Sequence, residues 1–184
     1  HQPTFGVEEI VAFTEQMITT NVTMGEEVEK FEDNYSNYLK SKYSVSSNSG
    51  SSANLLMIAA LCNYYNKDKL NRGDEVIIPA LTWSTTMFPL TQYGLKPVFV
   101  DCDLNTLNID LNKIEDAISP KTRAIFVVHI YGNPCDMSGI ISICKKYNLT
   151  LIEDSCESMG AYYNKSPVGS FGLMSSFSFY FSHH

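Results

Sequence analysis

Four short segments of this 184-residue chain carry side chains that suit chemistry, and each segment follows an apolar run. The segments span residues 46–54, 79–86, 153–158 and 176–184, and they supply hydroxyl, indole, carboxylate and imidazole groups. Such groups could hold a phosphate, stack on a flat ring, pair with a ring nitrogen and transfer a proton. The elements that precede them must therefore bring them to one place.

The first segment, 46–54, is a Ser/Gly-rich turn that leads into the apolar stretch 55–61. A turn of this kind at the start of a helix presents unpaired backbone N–H groups and the positive end of the helix dipole, which suits a phosphate. An alternative is that Ser51 or Ser52 simply caps the helix.

The second segment contains Trp83, the only tryptophan, after the apolar stretch 76–78. An indole at a strand end could stack on a flat heterocycle, and the hydroxyls around it could bond the substituents of that ring. The alternative is a tryptophan that only packs, either in the core or at the edge of a domain.

The third segment places Glu153 beside Asp154. Neighbouring residues of a strand point to opposite faces, so the two carboxylates cannot act on one ligand and one of them must be structural. Asp154 is the candidate to pair with a protonated ring nitrogen. The alternative is a capping arrangement, in which Asp154 or Ser155 caps a helical turn and Glu157 reaches back to the cap.

The fourth segment alternates serine or tyrosine with phenylalanine, which predicts that Ser176, Ser178 and Tyr180 line one face of a strand. Ser178 could bond a phosphate, and His183 lies just beyond the strand, where a side chain can enter a cleft. The alternatives for the final His-His pair are the remnant of a purification tag and two exposed histidines without a function.

Short β-branched runs alternate with stretches of helical period, which predicts an α/β domain with a largely parallel sheet flanked by helices. Several runs are apolar at every position, as expected when both faces of a sheet are covered. Ligands then bind at the carboxyl ends of the strands. Strands are expected at 43–47, 75–78, 97–101, 124–129, 149–153 and 175–181, and helices at 7–19, 26–39, 51–65, 85–92, 111–117 and 138–147.

Composition excludes several classes of protein. The net charge of −7, without a Lys/Arg stripe, argues against nucleic acid as a partner, and no stretch is long and apolar enough to span a membrane. The first residues lack the order of a signal peptide, so we expect a cytoplasmic protein. The five cysteines show no spacing that suits zinc, and we expect no metal site.

Taken in order, the four segments resemble those of the DegT/DnrJ/EryC1/StrS sugar aminotransferases, and the resemblance extends to 25–32, 73–80, 96–101 and 132–134. It implies the aspartate-aminotransferase-like fold (fold type I), a pyridoxal or pyridoxamine 5′-phosphate cofactor, and a homodimer with a shared active site. It also implies that residues 1–184 form the N-terminal part and most of the large, cofactor-binding domain, without the small C-terminal domain.

The same resemblance implies roles for individual residues. Gly50, Ser51 and Ser178 would hold the cofactor phosphate, Trp83 would stack on the pyridine ring, Asp154 would pair with its nitrogen, and Glu157 would lie against the cofactor. A loop of four residues would contact the nucleotide sugar: Thr20, Asn21, Val22 and Thr23. Thr23 could instead cap the helix that follows.

His183 departs from the family pattern, because ordinary members carry a Schiff-base lysine five residues after the phosphate serine. This departure resembles a branch of the family, the 4-keto-6-deoxy-sugar 3-dehydratases, which carry His-His there. That branch implies a GDP-linked 4-keto-6-deoxy sugar as substrate in deoxysugar (O-antigen or lipopolysaccharide) biosynthesis, with glutamate as amino donor. The alternatives are a sugar 4-aminotransferase, whose His-His would be a tag remnant, and a non-catalytic binding regulator.

Overall fold

The computed structural model describes residues 5–183, apart from the side chain of Ser182. The described residues divide into two compact units, 5–46 and Ser47–His183. Each unit has its own internal contacts and is described separately below.

The first unit contains two helices, α1 (Val7–Ile18) and α2 (Glu26–Leu39). Gly25 is the N-cap of α2, and three glutamates in the first turn complement the helix dipole. The helix ends at Lys40, which adopts the left-handed conformation with φ of 58°. After this turn the chain runs back along α2, where the Ser46 N–H donates to the Glu32 carboxylate at 2.6 Å.

The second unit is built on a five-stranded sheet with the order β2-β1-β3-β4-β7, and every pair of neighbouring strands is parallel. Its elements follow in chain order: α3 (Gly50–Leu61), β1 (Glu75–Pro79), α4 (Ser84–Gln92), β2 (Lys96–Val100), α5 (Leu111–Ile114), β3 (Thr122–Val128), α6 (Met137–Tyr147), β4 (Thr150–Asp154), β5 (Tyr162–Tyr163), β6 (Ser166–Pro167) and β7 (Met174–Ser176). The short strands β5 and β6 form an antiparallel hairpin. The predicted α/β class with a parallel sheet is confirmed.

Apolar residues cover both faces of this sheet, as the unbroken apolar runs predict. One cluster holds Ile58 of α3 and Leu90 of α4, and the other holds Ile114 of α5 and Ile140 of α6. Consecutive strand residues alternate between the two clusters: Val76, Ile78, Ala124 and Phe126 belong to the first, and Ile77, Ile125 and Val127 belong to the second. Burial of the valine, isoleucine and phenylalanine side chains among them, worth roughly 1.5 to 3 kcal/mol each, holds the strands in register.

Two strand predictions are wrong in whole or in part. Residues 43–47 have no strand partner among the described residues, and Tyr43 and Val45 are exposed. The last predicted strand, 175–181, is cut short, since β7 ends at Ser176 and a 3-10 helix forms at Phe181–His183. The reason is that, among the described residues, β7 pairs with β4 alone, and the last residue of β4, Asp154, lies opposite Ser176. The ladder between these two strands therefore ends there.

The helix predictions fit the structure within a few residues. The exceptions are α3, which ends at Leu61 rather than at 65, and the predicted helix 111–117, which is α5 followed by a 3-10 turn at Glu115–Ala117. Within residues 5–183, no helix is both long and apolar enough to cross a membrane.

Candidate active site

A cavity of about 540 Å³ opens at the carboxyl edge of the sheet, within the second unit. Its lining comes from the start of α3, from the turn before α4, and from the segments that follow β3, β4 and β7: Ser49, Gly50, Ser51, Asn54, Trp83, Thr85, Val128, Ile130, Tyr131, Asp154, Cys156, Glu157, Ser178, Tyr180 and His183. Parallel sheets of this kind bind ligands at this edge. All seven residues predicted to bind the cofactor or to act in catalysis are among those that line the cavity.

One end of the lining is the first turn of α3. Ser49 is the N-cap, and its hydroxyl accepts the Ser52 N–H at 3.1 Å. The N–H groups of Gly50 and Ser51 lie in the first turn of the helix, where no preceding turn supplies a carbonyl acceptor. They are therefore available to a ligand. The alternative in which Ser51 or Ser52 is the cap is wrong, because Ser49 fills that role.

Gly50 is packed so tightly that it has no room for a side chain. A Cβ there would lie 2.7 Å from Cys156 Sγ and 2.9 Å from the Cβ of Ser178. Glycine thus lets the helix N-terminus approach Ser178, which is predicted to share the phosphate with it.

We expect Gly50→Ala to lower the free energy of unfolding by about 1 to 3 kcal/mol, since it overpacks a buried contact. The same methyl group would displace Ser178, and so the affinity for a phosphorylated ligand should fall as well. Urea denaturation and ligand titration measure the two effects. Retention of wild-type values in both would show that the contact is not as tight as the structure has it.

Asp154 ends β4 and is almost completely buried, yet it lines the cavity. Its Oδ2 accepts the Asn54 amide at 2.8 Å and the Thr86 hydroxyl at 2.8 Å, and its Oδ1 accepts the Cys156 N–H at 3.2 Å. Every one of these neighbours is a donor, so both oxygens of the carboxylate act as hydrogen-bond acceptors. A buried carboxylate with these contacts is suited to pair with a protonated ring nitrogen.

The capping alternative for this segment is wrong. The residues after Asp154 form turns and not a helix, and the Asp154 carboxylate bonds the N–H two residues on. The Glu157 carboxylate does not reach back to a cap but accepts the Tyr131 N–H at 3.1 Å. Tyr131 stands in the left-handed region with φ of 51° and is 77% exposed at the cavity, so Glu157 fixes a strained turn at the site.

Glu153 faces the other side of β4 and is structural, as the alternation of a strand requires. Its four donors match the four acceptor positions of a carboxylate. They are the N–H groups of Gly169, Phe171 and Gly172, at 2.8, 2.8 and 2.6 Å, and Nε2 of His129, at 3.1 Å. The Cys135 N–H donates to His129 Nδ1, which places the imidazole proton on Nε2. Glu153 thereby fixes the loop that leads into β7.

We expect Glu153→Gln to lower the free energy of unfolding by about 3 kcal/mol. The NH₂ group of the new glutamine would face N–H groups that now donate to the Glu153 carboxylate, and those buried N–H groups would lose their acceptor. Urea denaturation measures this loss. Glu115→Gln is the matched control, since Glu115 is an exposed glutamate whose ion pair with Lys146 contributes little. Equal stability of the two variants would contradict the structural role of Glu153.

Trp83 precedes the first turn of α4 and is 71% exposed, with its side chain in the lining of the cavity. The alternative in which it packs in the core is therefore wrong. An exposed indole beside a buried carboxylate offers a free aromatic face to a planar ligand.

His183 ends the 3-10 turn Phe181–His183 and lines the same cavity. The Tyr180 N–H donates to Ser178 Oγ at 3.2 Å, and the His183 N–H donates to the Tyr180 carbonyl at 2.9 Å. The rings of Tyr180 and His183 lie edge to face with their centroids 5.4 Å apart. These contacts link the predicted phosphate serine to the imidazole through one compact turn. His184 lies outside the described residues.

The predicted substrate loop, Thr20 to Thr23, lies in the first unit. Thr20 adopts a left-handed conformation with φ of 59°, and the carbonyl of Asn21 accepts the Gln16 amide at 2.5 Å. The alternative in which Thr23 caps α2 is wrong, because Gly25 is the N-cap. The role of these four residues in substrate binding stays a prediction.

Sequence reasoning missed Asn54 and Thr86, the two side chains that donate to Asp154. Asn54 is the one amide at the start of the apolar helix α3, and it is 1% exposed. A buried amide in an apolar helix needs a partner, and that requirement is the signal that could have identified it.

The lining of the cavity fits a phosphorylated pyridine ring. Gly50 leaves a cradle that any side chain would fill, the first N–H groups of α3 suit a phosphate, and Asp154 suits a protonated nitrogen. Among the described residues, no group of three or more His, Cys, Asp or Glu side chains could hold a metal ion.

A parallel α/β sheet, with a helix N-terminus, an exposed indole and a buried carboxylate around one cavity at its carboxyl edge, defines a cofactor-binding class of domain. The chain belongs to the DegT/DnrJ/EryC1/StrS aminotransferase family, whose sequence pattern matches residues 3–184. The family expected from the sequence is thus confirmed.

Individual relatives refine this assignment. The chain is 53% identical over 171 residues to GDP-4-keto-6-deoxy-D-mannose 3-dehydratase of Yersinia pseudotuberculosis. These aligned residues are 92% of this chain and 43% of the Yersinia protein. The solved E. coli enzyme of the same name, with bound hydrated PLP, superposes on this chain with a TM-score of 0.95 at 45% sequence identity. The superposition covers 100% of this chain and 47% of the E. coli chain. A solved GDP-4-keto-6-deoxymannose 3-dehydratase with a trapped PLP–glutamate geminal diamine gives a TM-score of 0.94 at 45% identity. That match covers 98% of this chain and 47% of the solved chain.

These superpositions confirm the expected fold type I architecture. The chain spans less than half the length of these relatives.

Proposed function

We propose that the protein to which this chain belongs is a pyridoxamine 5′-phosphate-dependent 3-dehydratase. It removes the C3 hydroxyl of a nucleotide-linked 4-keto-6-deoxy sugar, a step of deoxysugar biosynthesis of the O-antigen or lipopolysaccharide type. The proposal rests on an imidazole in a cavity that otherwise suits the cofactor of an aminotransferase.

That observation carries the proposal, because aminotransferases of this fold use a lysine to hold pyridoxal phosphate covalently. None of the described residues that line the cavity is a lysine, and His183 stands among them. Without a lysine amine, the cofactor must be held by non-covalent contacts, and its own amine stays free to react with a ketone.

Different residues around the cavity would bind different parts of the cofactor. The N–H groups of Gly50 and Ser51, together with the Ser178 hydroxyl, would hold the phosphate. Trp83 would stack on the ring, and Asp154 would hold the proton on its nitrogen. Glu157 would lie against the cofactor while it fixes the turn at Tyr131.

Pyridoxamine phosphate, when bound, would supply the amine that condenses with the C4 ketone, and a conjugated ring that holds the electron pair left by removal of a C4′ proton until that pair expels the C3 hydroxyl. Within the protein, His183 is the group that would move the protons. An imidazole both accepts and donates a proton near neutral pH, so one side chain can act first as base and then as acid toward the departing C3 oxygen. The other groups orient the ring so that this imidazole faces the reacting carbon.

Substrate, amino donor and assembly form the finer part of the proposal. The names of the relatives favour a GDP-linked sugar, and the PLP–glutamate adduct in a solved relative favours glutamate as the amino donor. The proposal also includes contact of the sugar nucleotide with Thr20 to Thr23 and a homodimer with a shared active site. It assigns residues 1–184 to the N-terminal part and most of the large domain.

Incubation of the full-length protein with pyridoxal phosphate, glutamate and GDP-4-keto-6-deoxymannose tests the proposal. We expect a 3-deoxy-4-keto sugar and free ammonia as products. An amino sugar, together with a lysine adduct that borohydride traps, would identify a sugar aminotransferase instead. Binding of the cofactor without any product would identify a regulator and overturn the proposed reaction.

A further inference from the structure

The hydrogen bonds of Asp154 leave one position open in a defined place. Each carboxylate oxygen can accept two hydrogen bonds. Oδ2 already accepts two, from Asn54 and Thr86, whereas Oδ1 accepts one from the Cys156 N–H among the described residues. Because Asp154 lines the cavity, the unfilled position on Oδ1 is the acceptor that a protonated ring nitrogen would use.

Asn54 can donate to Oδ2 of Asp154 only if its Nδ2 group, and not its Oδ1 atom, faces the carboxylate. The Ser176 hydroxyl lies 2.6 Å from the Asn54 Oδ1 atom and donates to it, which directs the Nδ2 group toward Asp154. A rotated amide would place its oxygen against the Asp154 carboxylate, and the two acceptors would repel each other. Ser176 and Asn54 are both buried, so solvent offers neither group a substitute partner.

The Ser176 hydroxyl is itself directed by a thiol. Cys156 Sγ lies 3.7 Å from Ser176 Oγ and donates to it. Burial raises the pKa of the Cys156 thiol, and the nearby Asp154 charge raises it further, so the sulfur keeps its proton. The hydroxyl and amide donors follow one direction, from Ser176 through Asn54 to Asp154, and each bond polarises the next. The Cys156 thiol neighbours both Ser176 and Asp154.

We propose that Ser176 and Asn54 are positioning residues that act on the cofactor ring only through Asp154. They keep the Asn54 amide on Oδ2 of Asp154, so that Oδ1 alone meets the ring nitrogen. Neither residue has a role in the prediction from sequence, and the inference rests on the proposed function for the identity of the ring.

A cofactor analogue separates this role from general support of the fold. In 1-deazapyridoxamine 5′-phosphate a carbon replaces the ring nitrogen, and so the analogue keeps the phosphate and the aromatic face but gives Asp154 nothing to bind. Isothermal titration calorimetry of the full-length protein with each compound measures the two affinities.

For Asn54→Leu, we expect the affinity for pyridoxamine phosphate to fall by about 10- to 100-fold, as when a charge-assisted hydrogen bond is lost. For Ser176→Ala, which frees the Asn54 amide to rotate, we expect a loss of about fivefold. Both variants should bind the deaza analogue as the wild type does. Ser175→Ala is the matched control, since Ser175 neighbours Ser176 in β7 but pairs with Glu153, on the other side of β4.

The outcomes are distinct. Equal loss of affinity for both compounds, or no loss for either, would overturn the positioning role. If Asn54→Leu fails to fold, as judged by circular dichroism, the comparison for Ser176→Ala decides alone, because it removes a single oxygen. A wild-type protein that binds the two compounds equally well would instead show that Asp154 does not meet the ring nitrogen, which contradicts the proposed cofactor site itself.

Discussion

Replacement of His183 by glutamine is expected to lower the rate of sugar dehydration by about 10²- to 10⁴-fold. Glutamine keeps polar contacts similar to those of the imidazole, but its amide cannot take up or release a proton near neutral pH. Affinity for pyridoxamine phosphate should change little, since the phosphate, ring and nitrogen contacts belong to other residues of the cavity. Steady-state formation of the 3-deoxy product, together with a cofactor titration, measures both quantities.

His183→Lys provides the companion variant. It should lose dehydration to a similar degree and gain a covalent adduct with pyridoxal phosphate that borohydride fixes, because an amine then occupies the place of the imidazole. A mapped adduct on the new lysine would locate position 183 beside the cofactor. Full dehydratase activity in either variant would refute the acid–base role of His183.

The sheet could be predicted from the sequence because a strand that is buried on both faces appears there as a run of consecutive apolar residues. In β3, Ile125, Phe126 and Val127 are all apolar, and the structure divides them between the two core clusters. The same physics fails at 43–47, where Tyr43 and Val45 suit a strand but have no neighbouring strand among the described residues to pair with. Strand propensity reports a preference, whereas a ladder requires a partner.

The alternation in the last segment predicted its contacts better than its backbone. Ser176 and Ser178 are both buried and Phe179 is exposed, although the ladder ends at Ser176. Among the described residues β7 pairs with β4 alone, so the length of its ladder is set by where β4 ends, and that depends on tertiary structure. The 3-10 turn that brings His183 to the cavity follows from this early end of the strand.

The residues of the site that follow strands could be identified, but the donors around them could not. Parallel strands bring their carboxyl ends together, so Trp83, Asp154 and Ser178 meet in one cavity for a reason that the sequence already contains. Asn54 and Thr86 contact Asp154 across 100 and 68 residues of chain, and no local pattern records such pairs. Periodicity separated Asp154 from Glu153 without indicating what either one contacts.

Asp154→Asn should show how much of the cofactor affinity depends on one charge. Asn54 and Thr86 both donate to the Oδ2 position, so the carbonyl of the new amide must lie there and its NH₂ group must take the place of Oδ1. That NH₂ group would face the Cys156 N–H and the protonated ring nitrogen, two donors that it cannot satisfy.

We therefore expect the affinity of Asp154→Asn for pyridoxamine phosphate to fall by about 100- to 1,000-fold, as when one partner of a buried charge pair is removed. Affinity for the deaza analogue should be nearly unchanged, since that compound carries no ring proton. Asp116→Asn, a change of an exposed carboxylate outside the cavity, serves as the control for the loss of one charge. If Asp154→Asn bound pyridoxamine phosphate as tightly as the control does, the buried carboxylate would have no electrostatic role toward the ring, and the chain of donors that ends on it would serve the fold alone.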